Sequence, residues 1–255
     1  MATIAPTKSR LAPDTGFFLT MAIVMAALNV LAFTFFMLMG ISSFGAPLYV
    51  HVHAFVFFGW VVLYVAQNVL VATGSTTLHR KLGWLAAGWT LVMVVVGTLT
   101  TAYTVQRGLT PPIFTPSYFL VMNPVNILVF AILVLGGVAV RANTGWHRRL
   151  IYCGMASIMG PALGRLLPPP VLIAAGVPVI AGLLSLFVII GAVRDKIKYG
   201  KVHPAYLVGL AVQLAMWPVI DLVAKSSIGL SIYQNVVAGT PGAAQPGWEK
   251  APFPG

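Results

Sequence analysis

GFFLTMAIVMAALNVLAFTFFMLMG, residues 16–40, runs from Gly16 to Gly40 without one charged side chain. A helix crosses the hydrocarbon core of a bilayer with about 20 mainly apolar residues, so this stretch is long enough to span. Lys8 and Arg10 stand before it, as basic residues stand before a secretory signal. The apolar part of a signal is shorter, roughly 7–15 residues, and ends at a small-residue cleavage site. The run is therefore read as a retained first span. Six further apolar stretches follow at about 51–72, 84–106, 119–141, 149–168, 171–193 and 204–224.

Composition points the same way. Of the 255 residues 59% are hydrophobic and only 7% charged, and the mean hydropathy is +0.94, which excludes a soluble domain. The expected fold is all-α, a polytopic membrane bundle of seven transmembrane helices over residues 16–224. A cytoplasmic segment, 1–15, precedes it and an extracytoplasmic Gly/Pro-rich tail, 225–255, follows. The end of that tail, with Pro241-Gly242, Pro246-Gly247 and Pro252-Phe253-Pro254-Gly255, is expected to be poorly ordered unless it docks on a partner.

The net charge of +11 is a topology signal. Lys8, Arg10, Arg80, Lys81, Arg141, Arg148, Arg149, Arg194, Lys196, Lys198 and Lys201 all fall on one side of a seven-span chain, leaving Arg107, Arg165, Lys225 and Lys250 for the other. Basic residues mark the cytoplasmic side, so the N-terminus is expected inside and the C-terminus outside, in a bacterial cytoplasmic (inner) membrane. The partner this implies is the lipid bilayer, with some attraction for anionic headgroups, and no nucleic acid. Cys153 is the only cysteine, so there is neither a disulfide framework nor a thiolate metal cluster.

Ionisable groups in hydrocarbon are expensive, so the few present should face the bundle interior. An outer layer holds His51, His53, Asn123, Asn126, Arg165 and Asp221. Arg165 and Asp221 come late in two outward-running spans, at similar depth, and are expected to pair or to share a polar site. The alternative is that Arg165 snorkels to the headgroups while Asp221 caps a kink at Pro218. Ala156, Gly160 and Gly164 form a small-residue stripe, read as ordinary packing rather than a dimer face. His53, Phe57, Trp60, Tyr64 and Gln67 follow at steps of four, three, four and three, one helical face running from the outer layer to the inner. His51 and His53 are two apart, so on a helix only one faces inward, and His53 heads the stripe.

The inner layer holds His79 and His147, with Gln67 and Asn68. Both histidines begin spans that start on the cytoplasmic side, and each is followed by basic residues, Arg80-Lys81 and Arg148-Arg149. A b-type haem uses this arrangement: imidazoles as axial ligands from two helices and guanidinium groups, here Arg80 and Arg148, against the propionates. The other reading is of loop histidines within cytoplasmic basic clusters.

With His53, Gln67, the His-Arg-x-x-Gly motif His79-Arg80-Lys81-Leu82-Gly83, the His-Arg-Arg motif His147-Arg148-Arg149, and Arg165, residues 51–168 resemble an uncharacterised family of predicted bacterial multi-pass membrane proteins. That family distantly resembles the di-haem transmembrane cytochromes b and ferric-reductase-type proteins. The resemblance implies two histidine pairs, from the second and fourth spans and from the third and fifth. His79 and His147 match the second pair and His53 one member of the first. The fourth span has no histidine, and Met122 lies where a partner would stand, so one inner haem is the reading carried forward.

Three functions compete. The first is a haem b electron-transfer protein using His79, His147 and His53. The second is a structural or pigment- and lipid-binding subunit that meets membrane-protein partners through its C-terminal tail. The third is a small-molecule or ion permease with a polar core of Arg165, Asp221, Asn123 and Gln67. No nucleophile with its base and no carboxylate pair is visible, so no catalytic residue is assigned.

Overall fold

A computed structural model of the chain describes residues 14–250. Lys8, Arg10 and residues 251–255 lie outside the described residues. Those described are helical and strand-free, and six helices are long and apolar enough to cross a membrane: α1 (Thr15–Leu38), α2 (Leu48–Ala72), α3 (Thr76–Gln106), α4 (Pro116–Ala139), α7 (Pro169–Tyr199) and α8 (Pro204–Ala224). Between them lie α5 (Thr144–Ser157) and α6 (Gly160–Leu166), and after them α9 (Ser227–Val237) and a 3-10 turn, Pro241–Ala244.

The fifth apolar stretch is thus two helices rather than one, and Pro161 is the reason. It has no N–H for the carbonyl of Ser157, four residues back. That carbonyl accepts instead from Asn126 Nδ2 on α4, at 3.0 Å. Asn29 Nδ2 of α1 reaches Met159 Sδ in the break, at 3.1 Å. In α7 the chain leaves helical geometry at Ala175 (φ −151°, ψ 35°), just before Pro178.

α4 and α5 form the centre. α4 packs against α3, α5, α8 and α9, and α5 also meets α7 and α8. Tyr152 to Ser157 of α5 are all buried. Gly154 permits the close α4 approach: a Cβ there would lie 2.8 Å from Val134 Cγ2. Gly160 and Gly164 face Ile180 of α7 at ordinary separations, so their stripe serves packing within the chain. Outward, Leu31, Val62, Ile132 and Leu207 are each more than half exposed, an apolar surface suited to lipid.

The bundle has two distinct ends. The starts of α3, α5 and α8 meet the ends of α4 and α7 at one, which holds Arg148, Arg149 and Arg194 and is called here the basic end. At the other, the tail docks on its own chain, correcting the expectation of disorder up to residue 250. Ser117 and Trp248 both donate to the carbonyl of Ala224, at 2.9 and 3.1 Å. Gln106 donates to Val236 and Gln245 to Gly108, and Tyr233 Oη to Gly242 and Gln245. A side chain at Gly242 would collide with the carbonyl of Val105, so the glycine that looked like a flexible element permits the docking.

Candidate functional site

α3 begins before its apolar run, so His79 stands in its first turn rather than in a loop, and His147 in the first turn of α5. Their ring centres are 6.2 Å apart with planes at 77°. His147 Nδ1 lies 2.8 Å from the carbonyl of Gly137, one of the last carbonyls of α4, which a helix leaves unpaired. A carbonyl only accepts, so Nδ1 carries a proton and donates it. His79 stands against the backbone of Gln67, at the end of α2.

Gln67 completes this group. A Cβ on Gly83, one turn beyond His79, would come 3.7 Å from Gln67 Nε2, so the amide lies against α3. Both its polar atoms are buried without a partner. More than nine in ten buried polar groups are satisfied by protein or ordered water, and the two polar atoms of the Gln67 amide are exceptions.

The basic residues divide differently than the sequence implied. Arg80 and Lys81 are exposed. Arg148, expected beside a haem propionate, pairs with Asp14 at 2.5 Å. Asp14, with a fully buried side chain, also takes Arg194, Lys198 (3.1 Å) and the hydroxyl of Tyr199. Arg149 grips Asp195 through Nε and Nη2, at 2.7 and 2.6 Å, and Arg194 bridges to Asp195 at 3.1 Å. Burial alone would raise the Asp14 pKa. Bonds from Tyr199, Arg194 and Lys198 and the charge of Arg148 outweigh it and hold the carboxyl well below its usual range. This knot ties the start of α1 to the start of α5 and the end of α7. The sequence carried one signal for it: two of only four acidic residues stand beside the basic clusters.

His203, not singled out from the sequence, caps α8 by accepting from the N–H of Ala205 and meets Trp146 edge-on at 5.6 Å. Burial, then the charge of Arg149, pulls its pKa below the ordinary histidine value.

The second-helix stripe faces inward. Trp60 and Tyr64 are buried, and Trp60 meets Phe130 of α4 edge-on at 4.8 Å. His53 stacks on Phe57 at 4.1 Å, while His51 turns to the carbonyl of Phe44, as a helical reading of the pair requires. Among the described residues no three His, Cys, Asp or Glu side chains gather to hold a metal ion.

Arg165 and Asp221 are not brought together. Asp221 pairs with Lys225 one turn on, at 3.1 Å and exposed, whereas Arg165 lies over Phe33 and Phe36. Asn123 bonds Phe119 within its own helix, and Gln67 stands at the basic end. The four residues expected to form one polar core have four separate settings.

Fold and site define the class, a membrane-type helical bundle with a histidine pair at its basic end. Compared with family models, curated proteins and solved structures, the chain matches none.

Proposed function

We propose that the protein is a seven-span protein of the bacterial inner membrane that holds one b-type haem between His79 and His147 and serves in electron transfer. The observation that carries this reading is the histidine pair itself. Their ring centres stand 6.2 Å apart, near enough for the two side chains to hold one metal ion between them. A bare structural zinc ion takes four protein ligands, whereas a haem iron would need only one or two from the protein. A site with two imidazoles and no third ligand therefore suits haem better. When bound, the haem iron would supply one-electron exchange.

His147 is oriented by its bond to Gly137, the usual arrangement for a ligating imidazole, whose second nitrogen donates to a fixed acceptor. Gln67, with an unsatisfied amide on the His79 side, offers both a donor and an acceptor to the edge of a bound group. Arg80 and Lys81 have their cationic ends free for propionates. Arg148 has its guanidinium on Asp14 and its part is to hold α5, and with it His147, against α1. The kinship with di-haem cytochromes b belongs to the same proposal.

The other two readings are weaker. The permease lacks a shared polar core, and the tail meant for a partner protein lies on its own chain. The deciding experiment is the absorption spectrum of the purified protein. A Soret band is expected, and its loss in both His79→Ala and His147→Ala variants. A colourless, metal-free preparation from haem-replete cells would end the haem reading.

A further inference from the structure

We propose that the outer face of α7, at the basic end, binds one anionic phospholipid, with an acyl chain along an apolar groove and the phosphate on Lys198 and Arg194. The site is independent of the haem reading.

The groove is lined by Leu186, Ile189, Ile190, Val193 and Ile197, with Arg194 and Lys198 at one end. The apolar residues recur at helical spacing and form one stripe, exposed throughout, on a helix apolar enough to cross a membrane. At about 1.5 Å per residue, the stripe from Leu186 to Ile197 is roughly 16 Å long. One leaflet is half of a hydrocarbon core of about 30 Å. The groove therefore has the length of one acyl chain running inward from the basic end.

The apolar stripe alone would accept any lipid, and charge at its head selects among them. Arg148, Arg149, Arg194 and Lys198 gather on two carboxylates, Asp14 and Asp195, so this cluster carries two more positive charges than negative. The chain has only two other acidic residues, Asp221 and Glu249. Asp221 pairs with Lys225 and Glu249 follows Trp248 in the docked tail, both at the opposite end. No carboxylate of the described chain is left to balance the excess. An ammonium has three donors; Lys198 gives one to Asp14 at 3.1 Å and is 41% exposed, which leaves donors open to a ligand. A phospholipid phosphate supplies the missing negative charge and the acceptor oxygens, and basic residues beside a spanning helix attract such headgroups. Bound there, the lipid would brace the knot that ties α1, α5 and α7.

The test uses the full chain in mild detergent, titrated with phosphatidylglycerol or with phosphatidylcholine, and native mass spectrometry counts the lipids retained per chain. One phosphatidylglycerol is expected to stay bound at concentrations where phosphatidylcholine does not, and to raise the melting temperature. Lys198→Gln should weaken its retention about fivefold, the effect of one basic residue at an anionic surface. Ile190→Trp fills the groove and leaves the charges in place; it should weaken retention severalfold, and it decides the matter if Lys198→Gln does not fold. Arg141→Gln removes a cation that lies over Trp84 of α3, and should leave retention unchanged. The proposal is overturned if the two lipids are retained alike, or if the folded groove variants bind as the wild type does. It is overturned as well if Arg141→Gln weakens binding as much as Lys198→Gln, since the attraction would then belong to the whole basic face. A lipid-free dimer that Ile190→Trp dissociates would give the groove to a second copy of the chain and have the same consequence.

Discussion

At the scale of single residues, the firmest electrostatic feature is Asp14, one carboxylate shared by Arg148, Arg194 and Lys198. Breaking a buried ion pair costs about 3–5 kcal/mol. Here Arg148 and Lys198 are 31% and 41% exposed, so water relieves part of that. Asp14→Asn should therefore destabilise by about 2 kcal/mol, read as a lower melting temperature in detergent. The pH dependence has a fixed sign. A carboxyl whose folded pKa lies below its unfolded value of about 3.9 contributes fully above that value, and loses the contribution as pH falls through the folded one. Melting temperature should drop below about pH 4 more steeply in the wild type than in Asp14→Asn. His79 and His147 were legible as a pair because span counting put them on one side. The partner of Arg148 was not, because Asp14 lies in another part of the chain and spacing says nothing about which cation it meets. Gln67 was legible as the last member of a periodic stripe, but its want of partners depends on how α2 and α3 pack.

At the scale of elements, the break between α5 and α6 shows where apolarity and helical continuity part company. Residues 149–168 read as one span because hydropathy does not register the missing N–H of Pro161. What stabilises the break is Asn126 on another helix, which sequence reasoning placed in an outer polar layer without its partner. Asn126→Leu should strand the Ser157 carbonyl in the core, at a cost of about 1–3 kcal/mol. Pro161→Ala restores an N–H that can reach that carbonyl if the helix closes over the break. The double variant should then be more stable than the sum of the single effects predicts, by about 1 kcal/mol. Thermal denaturation of the four proteins checks this; strict additivity would mean that the two residues do not share the carbonyl. The tail teaches a related lesson. Its glycines and prolines read as flexibility, yet Gly242 is where the chain passes closest to α3, and Gly242→Val should loosen the docked segment and speed its proteolysis.

At the scale of the whole molecule, the count of spans decides which side of the membrane each site faces. Six long helices are plain, and the seventh crossing rests on α5 and α6 together. Two features support it. Irregular backbone at membrane depth is tolerated where protein rather than lipid surrounds it, and the residues before the break are buried throughout. The Asp14 knot also holds the start of α5 and the end of α7 at the same end of the bundle. A long α7 that finishes there begins near the opposite end, so the chain from Thr144 to Leu166 has to traverse the bundle to reach it. Under the proposed seven crossings, with basic residues inside, the His79–His147 pair would stand near the cytoplasm, and Arg165 and the docked tail outside. Alkaline phosphatase fused after residue 255 should then be active, and fused in the loop at 141–143 inactive, with a fluorescent-protein fusion giving the reverse. Six crossings would leave both phosphatase fusions inactive, because the C-terminus would return to the side of the basic residues. The same result would move Arg165 and the histidine pair relative to the membrane, so the reporter assay tests the setting of the histidine pair along with the fold.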